Sequence, residues 1–183
     1  PVFTKEIIGA DEKVVTLFNG IFTVGIALGS FYCPTMIRWL GARAKSLSSL
    51  ALTGVLIFGL DACWVGYHAE APAADEKLLG LVDYLTASAS HLRLAVDLFL
   101  LAFSGGMFIV PLYTQLQTAS DEHERARTIA SNNVMNALFI ATASILAAIL
   151  FGAGLSVLTV LFIFALLNLP VIGALAYSAH RKR

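Results

Sequence analysis

The chain has 183 residues, 58% of them hydrophobic and only 13% charged, whereas a soluble domain carries about 25% charged residues. Polar side chains are too few to cover a water-facing surface, which excludes an ordinary soluble domain and points to the membrane. Twelve Lys and Arg balance twelve Asp and Glu, so there is no basic excess to attract a nucleic-acid partner.

The N-terminal stretch Pro1 to Lys13 carries Lys5, Glu6, Asp11, Glu12 and Lys13. It has no apolar core of its own and does not read as a signal peptide. With no initiator Met, the expectation is a chain that begins inside a longer protein. Beyond it lie five apolar segments, near 14–36, 46–68, 92–117, 128–152 and 156–178. Each exceeds the roughly 20 residues that cross about 30 Å of hydrocarbon as a helix. Lipid offers no partner to an open sheet, and long alternating strands are absent from the sequence. The expected fold is therefore all-α, with five transmembrane helices in one membrane domain spanning 1–183.

The first segment contains "GIFTVGIALGS", in which Gly20, Gly25, Ala27, Gly29 and Ser30 provide small surface. Small residues let helices approach closely in lipid. Either simple packing or a sliding surface between two halves of a transporter requires them. Cys33 and Cys63 lie inside apolar runs, as small buried hydrophobes do. They give no disulfide framework or metal site.

Asp61, in "IFGLDACW", sits well inside the second segment. A carboxylate at that depth is costly and faces a cavity or a partner. It either couples an ion or holds a helix interface, or it is a hydrogen-bonded Asp near the outer end. Trp64 and Tyr67 follow it as an aromatic belt at a membrane boundary. The long link Ala69–His91 is small and acidic, with a short amphipathic helix expected around Asp75–Leu85, lying on the surface.

The third segment opens with Arg93 and Asp97, spaced i and i+4 on one helical face. They form a local salt bridge, or Asp97 lines the outer mouth of a substrate path while Arg93 snorkels to the headgroups. Further along, "SGGMFIVPLY" predicts a kink near Pro111. The fourth segment opens with "IASNNVMNALF", which places Asn132, Asn133 and Asn136 together at its start. Amides in a membrane helix need partners. They act as glue between helices or bind a polar headgroup, with Gln115 and Gln117 at the same depth across a short link. The tight turn "FGAGLS" then makes the last two segments antiparallel neighbours. The four His lie at segment ends or in links and form no ligand cluster. No nucleophile elbow, phosphate loop or catalytic carboxylate pair is present, so neither an enzyme nor a cofactor is expected.

Orientation follows from the cations. Arg38, Arg43, Lys45, Arg125, Arg127, Arg181, Lys182 and Arg183 fall on one side; Lys5, Lys13, Lys77 and Arg93 fall on the other, among acids. The first side is expected to be cytoplasmic, which puts the N-terminus outside and the C-terminus inside.

At this point the residues carry a resemblance. "KEIIGADEKVVTLFNGIFTVGIALGS", "GGMFIVPLYTQLQ" and "ARTIASNNVMNALF" resemble the C-terminal half of major facilitator superfamily transporters. The similar branch is that of the lysophospholipid transporters, including the transporter domain fused to an acyltransferase and an acyl-carrier-protein synthetase. The resemblance runs from Lys5 to about Ala176. It implies spans 8 to 12 of a twelve-helix fold, and alternating access of two halves around a midplane site. It further implies a bacterial inner membrane, membrane lipid as substrate, and the N-terminal half of the same transporter as partner, with an acyltransferase fused or associated. The stretch "GSFYCPTMIRWLGARAK" keeps the glycines and basic residues of the superfamily's cytoplasmic loop signature. It has Pro34 where the branch commonly has Glu, which removes the acid that a gating salt bridge there would need.

On this reading Asp61, Asp97 and Arg93 serve coupling or gating, and Asn132, Asn133, Asn136 and Gln115 bind the polar head of a lysophospholipid moved inward for re-acylation. The rival readings are a major facilitator transporter of another small molecule, such as a drug or sugar, and a membrane anchor module that transports nothing.

Overall fold

A computed structural model describes residues 10–41, 47–69, 80–121 and 123–181. Seven helices follow in order: α1 (Glu12–Leu40), α2 (Leu47–Tyr67), α3 (Leu81–Ala87), α4 (Ala89–Ala119), α5 (Arg125–Gly152), α6 (Val157–Leu166) and α7 (Asn168–Arg181). Five helical stretches are long and apolar enough to cross a membrane: α1, α2, α4, α5 and the α6–α7 pair over Val157–Ser178. The protein is thus all-α and membrane-embedded. Arg43, Lys45, Lys77, Lys182, Arg183, most of the N-terminal charged stretch and the 75–79 part of the expected surface helix lie outside the described residues.

The helix ends are set by local chemistry. Asp11 caps α1, its carboxylate accepting from the backbone N–H of Lys13 at 2.9 Å and of Val14 at 3.2 Å. This satisfies two of the donors that a helix start leaves orphaned. Gly41 ends α1 with φ 51°, its N–H returning to Ile37 O. Ser156 caps α6 by accepting from Thr159 N at 3.2 Å, after a turn in which Gly154 takes φ 83°.

Helix α4 is the centre of the bundle, packed along α1 on one side and α2 on the other. The α1–α4 approach is so close that Gly25, Gly29 and Gly106 leave no room for a side chain. A Cβ on Gly29 would strike the Phe103 carbonyl, and one on Gly106 would strike the carbonyl of Ile26. Contacts of this kind let dispersion act between backbones where lipid supplies no hydrophobic drive. Two apolar clusters flank the crossing. Val14, Val65, Tyr84 and Leu94 fill one end, and Cys33, Leu47, Ala51 and Met107 fill the other.

Three differences from the sequence reading are physical. Helix α4 runs on through Pro111, and a break that the sequence reading did not anticipate falls at Leu167, between α6 and α7. Pro170 has no N–H, and its ring crowds the carbonyl four residues back, at Leu166. The Asn168 amide covers the disturbed turn, donating to Phe164 O at 3.1 Å and Ala165 O at 3.0 Å. The short helix α3 is tied to the bundle through Tyr84, which is fully buried in the cluster with Val14 and Leu94, while Val82 and Leu85 stay exposed. Finally, no residue of α5 is buried. It touches only α4 and α6 to any extent, and large side chains such as Phe139 and Ile149 are exposed on it.

Candidate functional site

Two polar clusters break the apolar bundle, and α4 contributes to both. The first is ionic. Arg93 on α4 reaches across to Asp61 on α2: Nε donates to Asp61 Oδ2 at 2.9 Å, and the second guanidine nitrogen donates to Asp61 Oδ1. This is the two-pronged geometry that a planar guanidinium makes with a carboxylate. The expected local pair between Arg93 and Asp97 is therefore replaced by a pair between helices. The spacing that makes i and i+4 neighbours still holds, but α2 packs close enough to offer Arg93 a carboxylate with both oxygens open.

Asp97 sits beneath this pair and is 5% exposed. Its carboxyl is close enough to that of Asp61 for the two to interact directly. Its Oδ2 is fully buried, and no donor within the described residues reaches it. By contrast, the side chains of Arg93 and Asp61 are 54% and 29% exposed. The three predicted charged residues thus form one graded site, open at the guanidinium and closed at Asp97.

An aromatic pair packs at the same end of the bundle. Tyr84 stacks on His91 with centroids 4.3 Å apart. The Tyr84 hydroxyl donates to His91 O at 3.3 Å, and His91 Nδ1 lies 2.9 Å from Tyr84 O. Burial pushes the Tyr84 phenol above its ordinary pKa, since the phenolate would have to leave water. A cavity of about 410 Å³ opens between α2, α4 and α6, with Asn168 of α7 at its edge. Leu94, Leu98, Leu101, Leu161 and Phe164 make it almost wholly apolar.

The second cluster is neutral. The amides of Asn132 and Asn136 on α5 both donate to the hydroxyl of Tyr113 on α4, at 3.2 and 3.3 Å. Spacing i and i+4 puts the two Asn on one face, and that face meets α4. Asn133 is exposed and rotated off it, and Gln115, also exposed, makes no bond to the cluster. Tyr113 was missed in the sequence. Its signal was present, a lone phenol closing the apolar run "MFIVPLY", but only the helix pairing shows what it meets. Among the described residues, no three His, Cys, Asp or Glu side chains converge to hold a metal ion.

No family model, no curated protein and no solved structure matches this chain.

Proposed function

We propose that the chain is the C-terminal part of a secondary transporter that moves lysophospholipids inward across a bacterial inner membrane, with its N-terminus outside. The observation that carries this reading is the pair of polar clusters on α4. Arg93 and Tyr113 are twenty residues apart, about 30 Å of helix at ~1.5 Å per residue. That is one hydrocarbon thickness, so one helix carries a charged group near one boundary and a neutral hydrogen-bonding group near the other. A zwitterionic head that crosses hydrocarbon needs such partners at both ends of its path. Neutral amides and a phenol attract neither of its charges too strongly. The apolar cavity beside Leu94 and Leu101 suits the single acyl chain. The unburied helix α5 suits a second half, the N-terminal six spans of the same transporter, closing over it. An acyltransferase fused or associated with the transporter would receive the product.

The test is equilibrium binding in lipid nanodiscs, with lysophosphatidylethanolamine against a panel of sugars. Saturable lysophospholipid binding that Asn136→Leu weakens while the melting temperature holds is the expected result. Binding of a sugar instead, or lysophospholipid binding indifferent to Asn136, Asn132 and Tyr113, overturns the reading.

A further inference from the structure

We propose that Asp97 is a proton-binding site, and that its proton decides whether Arg93 is paired across to Asp61 on α2 or along its own helix to Asp97. The site holds two carboxyls and one guanidinium, so with both acids ionised it carries one uncompensated negative charge. Asp61 is the ionised member in the observed state, because both its oxygens accept from Arg93. Asp97 is the other, with a buried oxygen that no donor among the described residues reaches. A carboxylate placed so pays the full cost of a buried, unpaired charge. One proton on Asp97 removes that charge and turns the acid into a donor toward Asp61. The bookkeeping of charge then closes at zero.

The proton fits better than a metal cation. Hard cations gather six or more oxygens, and here one carboxyl is already gripped by a guanidinium. Among the described residues the packed neighbours supply no rival charge. Between Lys13 and Arg38, α1 offers only Tyr32 and Cys33 as ionisable side chains, and Cys33 lies at the far end against Met107 O. From α2 come Asp61 and Cys63, with Tyr67 and His68 at the helix end, where the His68 ring is held by Trp64 O at 2.9 Å. From α3 come Asp83 and Tyr84. Helix α4 itself supplies His91, stacked on Tyr84, and Arg93. Among the described residues, only Asp61 and Arg93 act on Asp97.

Loss of the proton changes the balance. Ionised Asp97 lies one helical turn from Arg93 and competes with Asp61 for it. When Arg93 turns to Asp97, α2 loses its ionic tie to α4 and the outer ends of the two helices separate. In equation form, Asp97 carboxylic acid gives up a proton to water and becomes a carboxylate; the guanidinium moves from the Asp61 carboxylate to the Asp97 carboxylate. For its role in transport the switch rests on the transporter reading. The site itself does not, and neither readout below requires a lysophospholipid.

The experiment uses the full chain in nanodiscs, with Cys33→Ala and Cys63→Ala as background. Infrared difference spectra should show a carboxylic-acid carbonyl band that survives at neutral pH, where exposed aspartates are ionised. The band should vanish in Asp97→Asn and return, shifted, in Asp97→Glu. Spin labels at Tyr67→Cys and Leu92→Cys, both exposed positions, report the α2–α4 separation. It should lengthen as pH rises in the parent. In Asp97→Asn, whose amide stands in for the protonated acid, it should stay at the short value at every pH. Absence of the band in the parent overturns the proposal, as does a pH-dependent separation that persists in Asp97→Asn. A sodium-dependent separation at fixed pH, abolished by Asp97→Asn, overturns it in favour of a metal cation. Failure of lysophospholipid binding with band and separation intact refutes the transporter reading alone.

Discussion

Gly105 and Gly106 are adjacent, yet the structure assigns them opposite responses to the same added methyl. A Cβ on Gly105 meets nothing within 4 Å, whereas one on Gly106 meets the Ile26 carbonyl and lies 2.9 Å from Ser30 N and 3.1 Å from Ser30 Oγ. The obstacle at Gly106 is backbone, so no rotamer change relieves it and α1 must move. Overpacking of this kind costs about 1–3 kcal/mol. At Gly105 only helix propensity changes, and alanine gains up to about 1 kcal/mol over glycine. The propensity gain applies equally at both positions of α4, so the two variants should differ by the overpacking cost alone, about 1–3 kcal/mol, or roughly 5- to 150-fold in the folded-to-unfolded ratio. Reversible unfolding in mixed micelles, followed by tryptophan fluorescence, measures both. Gly105→Ala should match or exceed the parent, and Gly106→Ala should fall below it. If Gly106→Ala is as stable as the parent, or Gly105→Ala loses as much, the α1–α4 contact is not where the structure puts it.

Other outcomes follow from single groups. Tyr113→Phe strands the amides of Asn132 and Asn136 and should cost roughly 0.6–2 kcal/mol, while Gln115→Leu should be neutral; the same micelle titration separates them. Asn168→Leu removes the amide that donates to the Phe164 and Ala165 carbonyls at the α6–α7 break and should lower the melting temperature, whereas Asn168→Gln, which keeps an amide, should lower it less. Burial holds the Tyr84 proton more tightly in the folded chain than in the unfolded one, where it leaves near pH 10. That contribution is complete below about pH 10 and is lost as pH rises further, so alkaline melts of Tyr84→Phe should show a shallower decline than the parent. A cysteine at Thr118 should be labelled only from the cytoplasm and one at Ala153 only from outside; the reverse pattern would invert the proposed topology.

Membrane class and helix content were legible in the sequence because both are local. A span satisfies its backbone hydrogen bonds within itself, so length and apolarity alone mark α1, α2, α4 and α5. The costly residues were legible for a related reason: Asp61, Asp97 and the Asn stretch stand out against any apolar run. Their partners were not legible. Spacing on one helix made Arg93 and Asp97 the natural pair, and it left Asn132 and Asn136 with Gln115 or with lipid. Which carboxylate Arg93 grips depends on how near α2 comes to α4. That distance is set elsewhere, by contacts such as Gly54 against Ser104 and by the cluster around Tyr84 and Leu94. Periodicity carries no information on the distance between helices, so only the tertiary structure decided that Asp97 would bury an oxygen that no donor among the described residues reaches and that Tyr113 would join the two asparagines.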